Sequence, residues 1–158
     1  MIAERLKRYL EENRVPFEHH VHRTAYTAQE VAAEEHVPGR MMAKSVIIHT
    51  GRGFVMAVLP APLRVDLAAL RAALDAPEAR LATEAEFASL FPDSETGAMP
   101  PFGNLYNLPV YADTGLTRTE EIVFNAGTHR DTIRIRSGDF ARLLKPQVMD
   151  LALQRSVA

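Results

Sequence analysis

The sequence predicts an α+β fold: a single domain over residues 1–158, with a mixed, barrel-like β-sheet flanked by helices. Three observations predict it. The chain has 158 residues, 47% apolar and 24% charged, which suits one domain with one real core and excludes intrinsic disorder. Strand-like and helix-like segments follow the order α-β-α-β-β-α-β-α-loop-β-β-β-α, which is not the regular alternation of a doubly wound sheet. No internal repeat, low-complexity stretch or linker interrupts them.

Each element has its own signal. In Ile2–Asn13, Ile2, Leu6, Tyr9 and Leu10 recur at helical spacing between charged residues, an amphipathic helix. Val15, Phe17, His19 and Val21 alternate along Val15–His22, a half-buried strand. Thr27-Ala28-Gln29-Glu30 is a capping box opening a helix to about His36, and Val37-Pro38-Gly39 stops it. Lys44–Thr50 and Phe54–Leu59 form a hairpin about Gly51-Arg52-Gly53, ended by Pro60 and Pro62. Asp66 caps a helix over Leu67–Leu74. Arg80–Ala82 is a short strand, and a second capping box at Thr83–Glu86 opens a helix to Leu90. Pro109–Asp113, Glu121–Ala126 and Thr132–Arg136 are strands, and Phe140–Leu144 begins a last helix. Residues 147–158 read as a helical or frayed tail, part of a C-terminal tail over 146–158.

The segment Phe91–Asn107 differs from an ordinary loop. It combines prolines and glycines with Met99, Phe102, Leu105 and Tyr106, which a merely solvated loop does not need. An ordered loop packed on the domain is expected, of the kind that carries function.

Composition excludes several chemistries. Zero cysteines excludes a disulfide scaffold, a zinc–cysteine site, an iron–sulfur cluster and a catalytic thiolate. Apolar runs of about five to six residues fall far short of the ~18 needed to span a bilayer. The charged N-terminus does not resemble a signal peptide, so a soluble, cytoplasmic protein without a membrane partner is expected. A net charge of −2 argues against a surface that coats DNA.

Three places can carry chemistry. Lys44, one of only three lysines among 18 basic residues, opens the apolar strand Val46–Ile48. It either snorkels its ammonium to water or is held for a charged ligand. Gly97-Ala98-Met99-Pro100-Pro101-Phe102-Gly103 is a rigid loop that either forms a structural corner or aims N–H groups, such as those of Gly97 and Ala98, at one point. Asn125-Ala126-Gly127-Thr128-His129 follows a strand, so His129 lies at a strand end, beside a substrate or in a locally bonded turn. His19, His20 and His22 lack a nearby acidic third ligand, a weak metal pattern. No Walker loop, HExxH or GxSxG is present, and Ser45, Ser89 and Ser94 have no base at recognisable spacing.

Taken in order, Ala43-Lys44-Ser45-Val46, the G-x-x-x-P loop Gly97–Pro101 and the G-x-H of Gly127-Thr128-His129 resemble the YbaK/ProX family of trans-acting aminoacyl-tRNA editing (deacylase) domains. The insertion domain of bacterial prolyl-tRNA synthetases is related to it. The likeness runs from about residue 2 to 150. It implies hydrolysis, in trans, of the ester joining a wrong amino acid to tRNA, with no metal and no cofactor. It implies catalytic roles for Lys44, Gly97 and Ala98, and substrate-binding roles for Ser45, Pro101, Gly127, His129 and His22. In the family the lysine engages the terminal adenosine's phosphate or the aminoacyl group, and the loop holds the ester carbonyl through backbone amides. The implied partner is the acceptor end of an aminoacyl-tRNA, with a synthetase or elongation factor as a further partner for the tRNA body. A noncatalytic module that uses the same pocket to bind an amino acid or a partner is the alternative.

Overall fold

The computed structural model describes residues 2–153. Helix α1 (Glu4–Glu12) buries Leu6 and Leu10, and the Ala3 N–H ahead of it donates to the Ala126 carbonyl at 2.9 Å. Strand β1 (Glu18–Val21) follows, then α2 (Ala28–Glu34), β2 (Met42–His49), β3 (Phe54–Pro60), β4 (Arg64–Val65) and α3 (Leu67–Leu74). The chain continues through β5 (Arg80–Leu81), α4 (Glu84–Phe87), β6 (Val110–Asp113), β7 (Glu121–Asn125), β8 (Asp131–Arg136) and α5 (Ser137–Leu144) to β9 (Gln147–Met149) and β10 (Ala152–Leu153).

The main sheet runs β1-β8-β7-β2-β3-β6-β9, with β5 also pairing β2, and β4 pairs β10 separately. It is mixed: β2 with β7, β3 with β6 and β6 with β9 are parallel, the other pairs antiparallel. Both faces are covered, which explains the unbroken apolar run of β3. Met56 and Val58 join a core with Leu6, Leu10, Phe102 and Phe140, while Val55, Ala57 and Leu59 face a second core with Leu70 and Leu151. A third cluster packs Val31 and Ala32 of α2 on Met42 and Val123.

Local signals act as the sequence suggests at most helix starts. Thr27 Oγ1 accepts from the Glu30 N–H (3.1 Å) and Asp66 Oδ1 from the Ala69 N–H (3.0 Å). At α4 the box is reciprocal: Thr83 accepts from Glu86 N–H, and Glu86 Oε1 accepts from Thr83 N–H.

Two expectations are corrected. The alternation at Val15–His22 does not bury a face of β1, whose four residues are all exposed. It is an edge strand, and the apolar anchoring comes earlier, from Val15 and Phe17. The expected helical tail is instead β9 and β10 over the described part, while residues 154–158 lie outside the described residues. Lys145, at φ 45°, ends α5 in the left-handed conformation, and Pro146 cannot extend a helix, so the chain turns back to pair with β6. Strand β4, too short to carry a period, has no sequence signal, and α5 begins three residues before Phe140. Among the described residues no helix is long and apolar enough to cross a membrane.

Candidate active site

The segment 91–107 is ordered at both ends by packing. Phe102 is fully buried, edge-on to Tyr9, Phe124 and Phe140 at ring separations of 5.6–5.7 Å. Tyr106 packs at a tilt against Phe91 (ring centroids 4.6 Å apart) and donates its hydroxyl to Asp93 Oδ1 at 2.8 Å, tying the two ends together. Burial, with the carboxylate of Asp93 beside it, pushes the Tyr106 phenol up to about 12, so it stays a donor. Arg5 completes the clasp, 3.0 Å from Asp93 and lying over the Tyr106 ring.

Between these anchors, residues 95–99 are laced to the end of β7 and to the turn after it. Glu95 N–H donates to Gly127 O (2.7 Å), and Gly127 N–H donates to Ala98 O (3.0 Å). Glu95 Oε1 accepts from the His129 N–H at 2.6 Å. His129 Nε2 lies 3.0 Å from the Thr96 carbonyl, which can only accept, so this nitrogen carries the proton. Its Nδ1 is buried without a partner among the described residues. On the other side, Ser45 Oγ donates to Met99 O at 3.2 Å. The loop therefore bridges β2 and the β7–β8 turn.

Gly97 sits at φ +90°, and a Cβ there would reach 3.4 Å from His129 Cε1. Gly127, at φ +103°, would clash with Ala3 at 3.0 Å. Positive φ favours glycine at both positions, and at Gly127 space is short as well. The Gly97 N–H has only the Met99 thioether sulfur, a weak acceptor, at 3.1 Å. The Met99 N–H makes no hydrogen bond among the described residues. The amide expected to be available at Ala98 is committed instead, donating to Glu95 O at 3.0 Å. Ala98 is fully buried and serves as a brace, because the tight turn closes on its own N–H. Pro101 is buried at the point where the loop enters the core.

The structure brings together Ser45, Gly97, Ala98, Gly127 and His129 through the loop, and of these His129 lines a cavity of about 370 Å³ with Tyr26 and Glu95. Lys44 is placed differently. Ser45 turns to the loop, so Lys44 points to the other face of β2. Its Nζ donates to Ala61 O at 3.0 Å and lines a separate cavity of about 470 Å³ with Arg64 and Leu67. Burial, then the charge of Arg64, lowers the Lys44 pKa from its usual value. Parallel pairing matches Met42 with Val123 and Ala43 with Phe124, so Lys44 and Asn125 follow as the next matched positions, where β2 and β7 part. Both lie on the face carrying α2.

His22 is not in this group. It lines a neighbouring cavity of about 600 Å³ with His20, Glu35 and His36, its Nδ1 on the Arg23 carbonyl. His19 is bound to Asp131 at 2.6 Å. Burial alone would raise the Asp131 pKa, but hydrogen bonds, including those from Thr128 and His19, outweigh it and hold the carboxyl at about 2. Among the described residues no group of three or more His, Asp or Glu could hold a metal ion. Sequence reasoning missed Glu95 and Tyr26. Neither sits in a motif, and each is recruited by contact with His129 across the fold.

Residues 22–143 match the family model of the aminoacyl-tRNA editing domain. The chain belongs to that family. The editing domain is 33% identical over 97 residues to the multifunctional Ser/Thr-tRNA deacylase ProXp-y of Escherichia coli strain K12. That match covers 61% of this chain and 58% of the relative, so the chain spans little more than half the length of the curated relative it matches. Among solved structures, it resembles one provisionally named a trans-editing enzyme for prolyl tRNA synthetase (TM-score 0.83, 25% identity, 96% of this chain and 97% of that one). A crystal structure of a hypothetical protein shares the fold at 18% identity (TM-score 0.86, 95% of this chain and 100% of that one).

Proposed function

We propose that this editing domain hydrolyses, in trans, the ester between a mismatched amino acid and its tRNA. The observation that supports this reading best is the turn at Gly97. It leaves two N–H groups, of Gly97 and Met99, without a strong acceptor, on a loop fixed from both sides and beside His129. Such amides suit the oxygen of an ester carbonyl as it gains charge, and one such donor contributes about 3 kcal/mol to catalysis.

Water adds to the carbonyl carbon, the oxygen takes up charge at the loop, and the ribose oxygen leaves with a proton from its neighbouring hydroxyl or from solvent. An amino acid and an uncharged tRNA result. The ester is already activated, so no side-chain nucleophile is needed. Ser45 and His129 hold the loop in register, Pro101 seats it, and Gly127 lets the β7–β8 turn approach it. Lys44, on the opposite face of the same strand, is assigned to a substrate phosphate away from the ester. The setting is cytoplasmic, and a synthetase or elongation factor is the partner proposed to present the tRNA body. His22, in the adjoining cavity, is assigned to the nucleotides behind the terminal one.

The experiment is release of amino acid from a panel of mischarged tRNAs, by wild type and Lys44→Ala. Seryl- and threonyl-tRNA come first, because the curated relative carries that activity in its name. The expected result is turnover on at least one substrate and its loss in a folded Lys44→Ala protein. Binding without release, on every substrate, would favour the noncatalytic module.

A further inference from the structure

Tyr26 is 68% exposed, an unusual setting for a large aromatic residue with a core available nearby. The neighbouring residue, Ala25, provides the anchoring: it is buried, and its N–H donates to the His129 carbonyl at 3.1 Å. That bond fixes the segment and leaves the Tyr26 ring at the lip of the His129 cavity, 4.8 Å from the imidazole and tilted by 51°. Arg130 lines this cavity and also the larger one next to it, where Arg23 joins it. Among the described residues neither guanidinium forms an ion pair. Glu34 and Glu35 line the larger cavity, but Glu35 is engaged, accepting from Thr132 Oγ1 at 2.6 Å.

An exposed ring at the mouth of the site and an unpaired arginine behind it match the chemistry of a single-stranded RNA end. Such ends are read by stacking of bases on aromatic faces and by charge on phosphates. We propose that Tyr26 is the stacking platform for the terminal nucleobase of the acceptor strand. Arg130, with Arg23 behind it, takes the phosphate on the 5′ side of that nucleoside. This rests on the deacylase reading, since the ester hangs from the ribose of that same nucleoside. The base must therefore come to rest within one nucleotide of the Gly97 turn.

The test compares wild type, Tyr26→Ala, Tyr26→Phe and Arg130→Ala in the full chain on two substrates. One is the mischarged tRNA that wild type hydrolyses fastest; the other is the same amino acid esterified to ribose, which has no base. Tyr26→Ala is expected to lower kcat/KM on tRNA by about tenfold or more, as for loss of one base stack. Tyr26→Phe, which keeps the ring, restores it, and the Tyr26→Ala defect disappears on the ribose ester. Arg130→Ala weakens tRNA use and flattens its salt dependence. An unchanged Tyr26→Ala enzyme would overturn the proposal, and so would an equal loss on both substrates, which makes Tyr26 a prop for His129. A titration with the trinucleotide CCA, followed by the NMR shifts of the Tyr26 ring, reads the platform without catalysis. Saturable shifts support it and their absence overturns it, whereas a wild type inactive on every tRNA overturns the deacylase reading alone.

Discussion

Residues 95–99 and residues 102–106 belong to one loop and differ in how each satisfies its own chemistry. The second stretch ends in the core: Phe102 and Tyr106 are buried, and three aromatic rings meet Phe102. The first stretch has an exposed glycine at φ +90° and a backbone N–H on nothing better than a thioether. Tight packing and a weakly satisfied backbone are thus separated by a few residues. Rigid packing at 102–106 holds 95–99 in a conformation that the shorter stretch would not keep alone.

The comparison can be broken first at its stable half. Phe102→Ala removes a fully buried ring at the junction of two helices and the sheet. A loss of about 3–5 kcal/mol in unfolding free energy is expected, measured by denaturant titration. Any loss of activity in this variant should track the unfolded fraction.

A smaller effect is expected at the lacing between the halves. Glu95→Ala deletes the carboxylate that accepts from the His129 N–H. The His129 turn then loses a tie to the loop, and the misplaced backbone should lower deacylation by at least about tenfold. The melting temperature should change far less than in Phe102→Ala. A large drop in Tm with intact turnover would assign Glu95 to the fold.

The smallest effect concerns acid stability. The Asp131 carboxyl titrates at about 2 in the folded protein, below its ordinary 3.8. A depressed carboxylate pKa stabilises the fold above the unfolded value, and this contribution is lost as pH falls from about 4 to about 2. Unfolding followed against pH should steepen in that window, and Asp131→Asn should flatten it.

Much of this was legible in the sequence because local signals and global packing agree. Asp66 and Thr83 act as caps where expected, and the run Phe54–Leu59 is a central strand. The loop 91–107 announced itself by carrying apolar bulk among prolines and glycines, and Phe102 and Tyr106 are indeed core. What stayed illegible depends on contacts distant in sequence. The exposure of β1 follows from its place at the sheet edge, and β9 and β10 are defined by partners that local periodicity does not encode. At the site, glycines that need positive φ were visible as motif residues. The use of the Ala98 N–H and the partnership of Glu95 with His129 required the three-dimensional turn. Alternation along β2 likewise sends Ser45 and Lys44 to different faces, which one string of residues leaves implicit.

The central claim is that the backbone at 95–99 holds the ester, and Gly97→Val tests it most directly. A β-branched residue at φ +90° is strained, and its side chain would lie against His129. Single-turnover hydrolysis of the preferred mischarged tRNA should fall by about 100-fold or more. Met99→Leu, which keeps volume, should cost far less. Thermal melts run alongside should show Gly97→Val still folded at the assay temperature. A folded Gly97→Val protein that releases amino acid at the wild-type rate would contradict the claim and make the loop a structural corner.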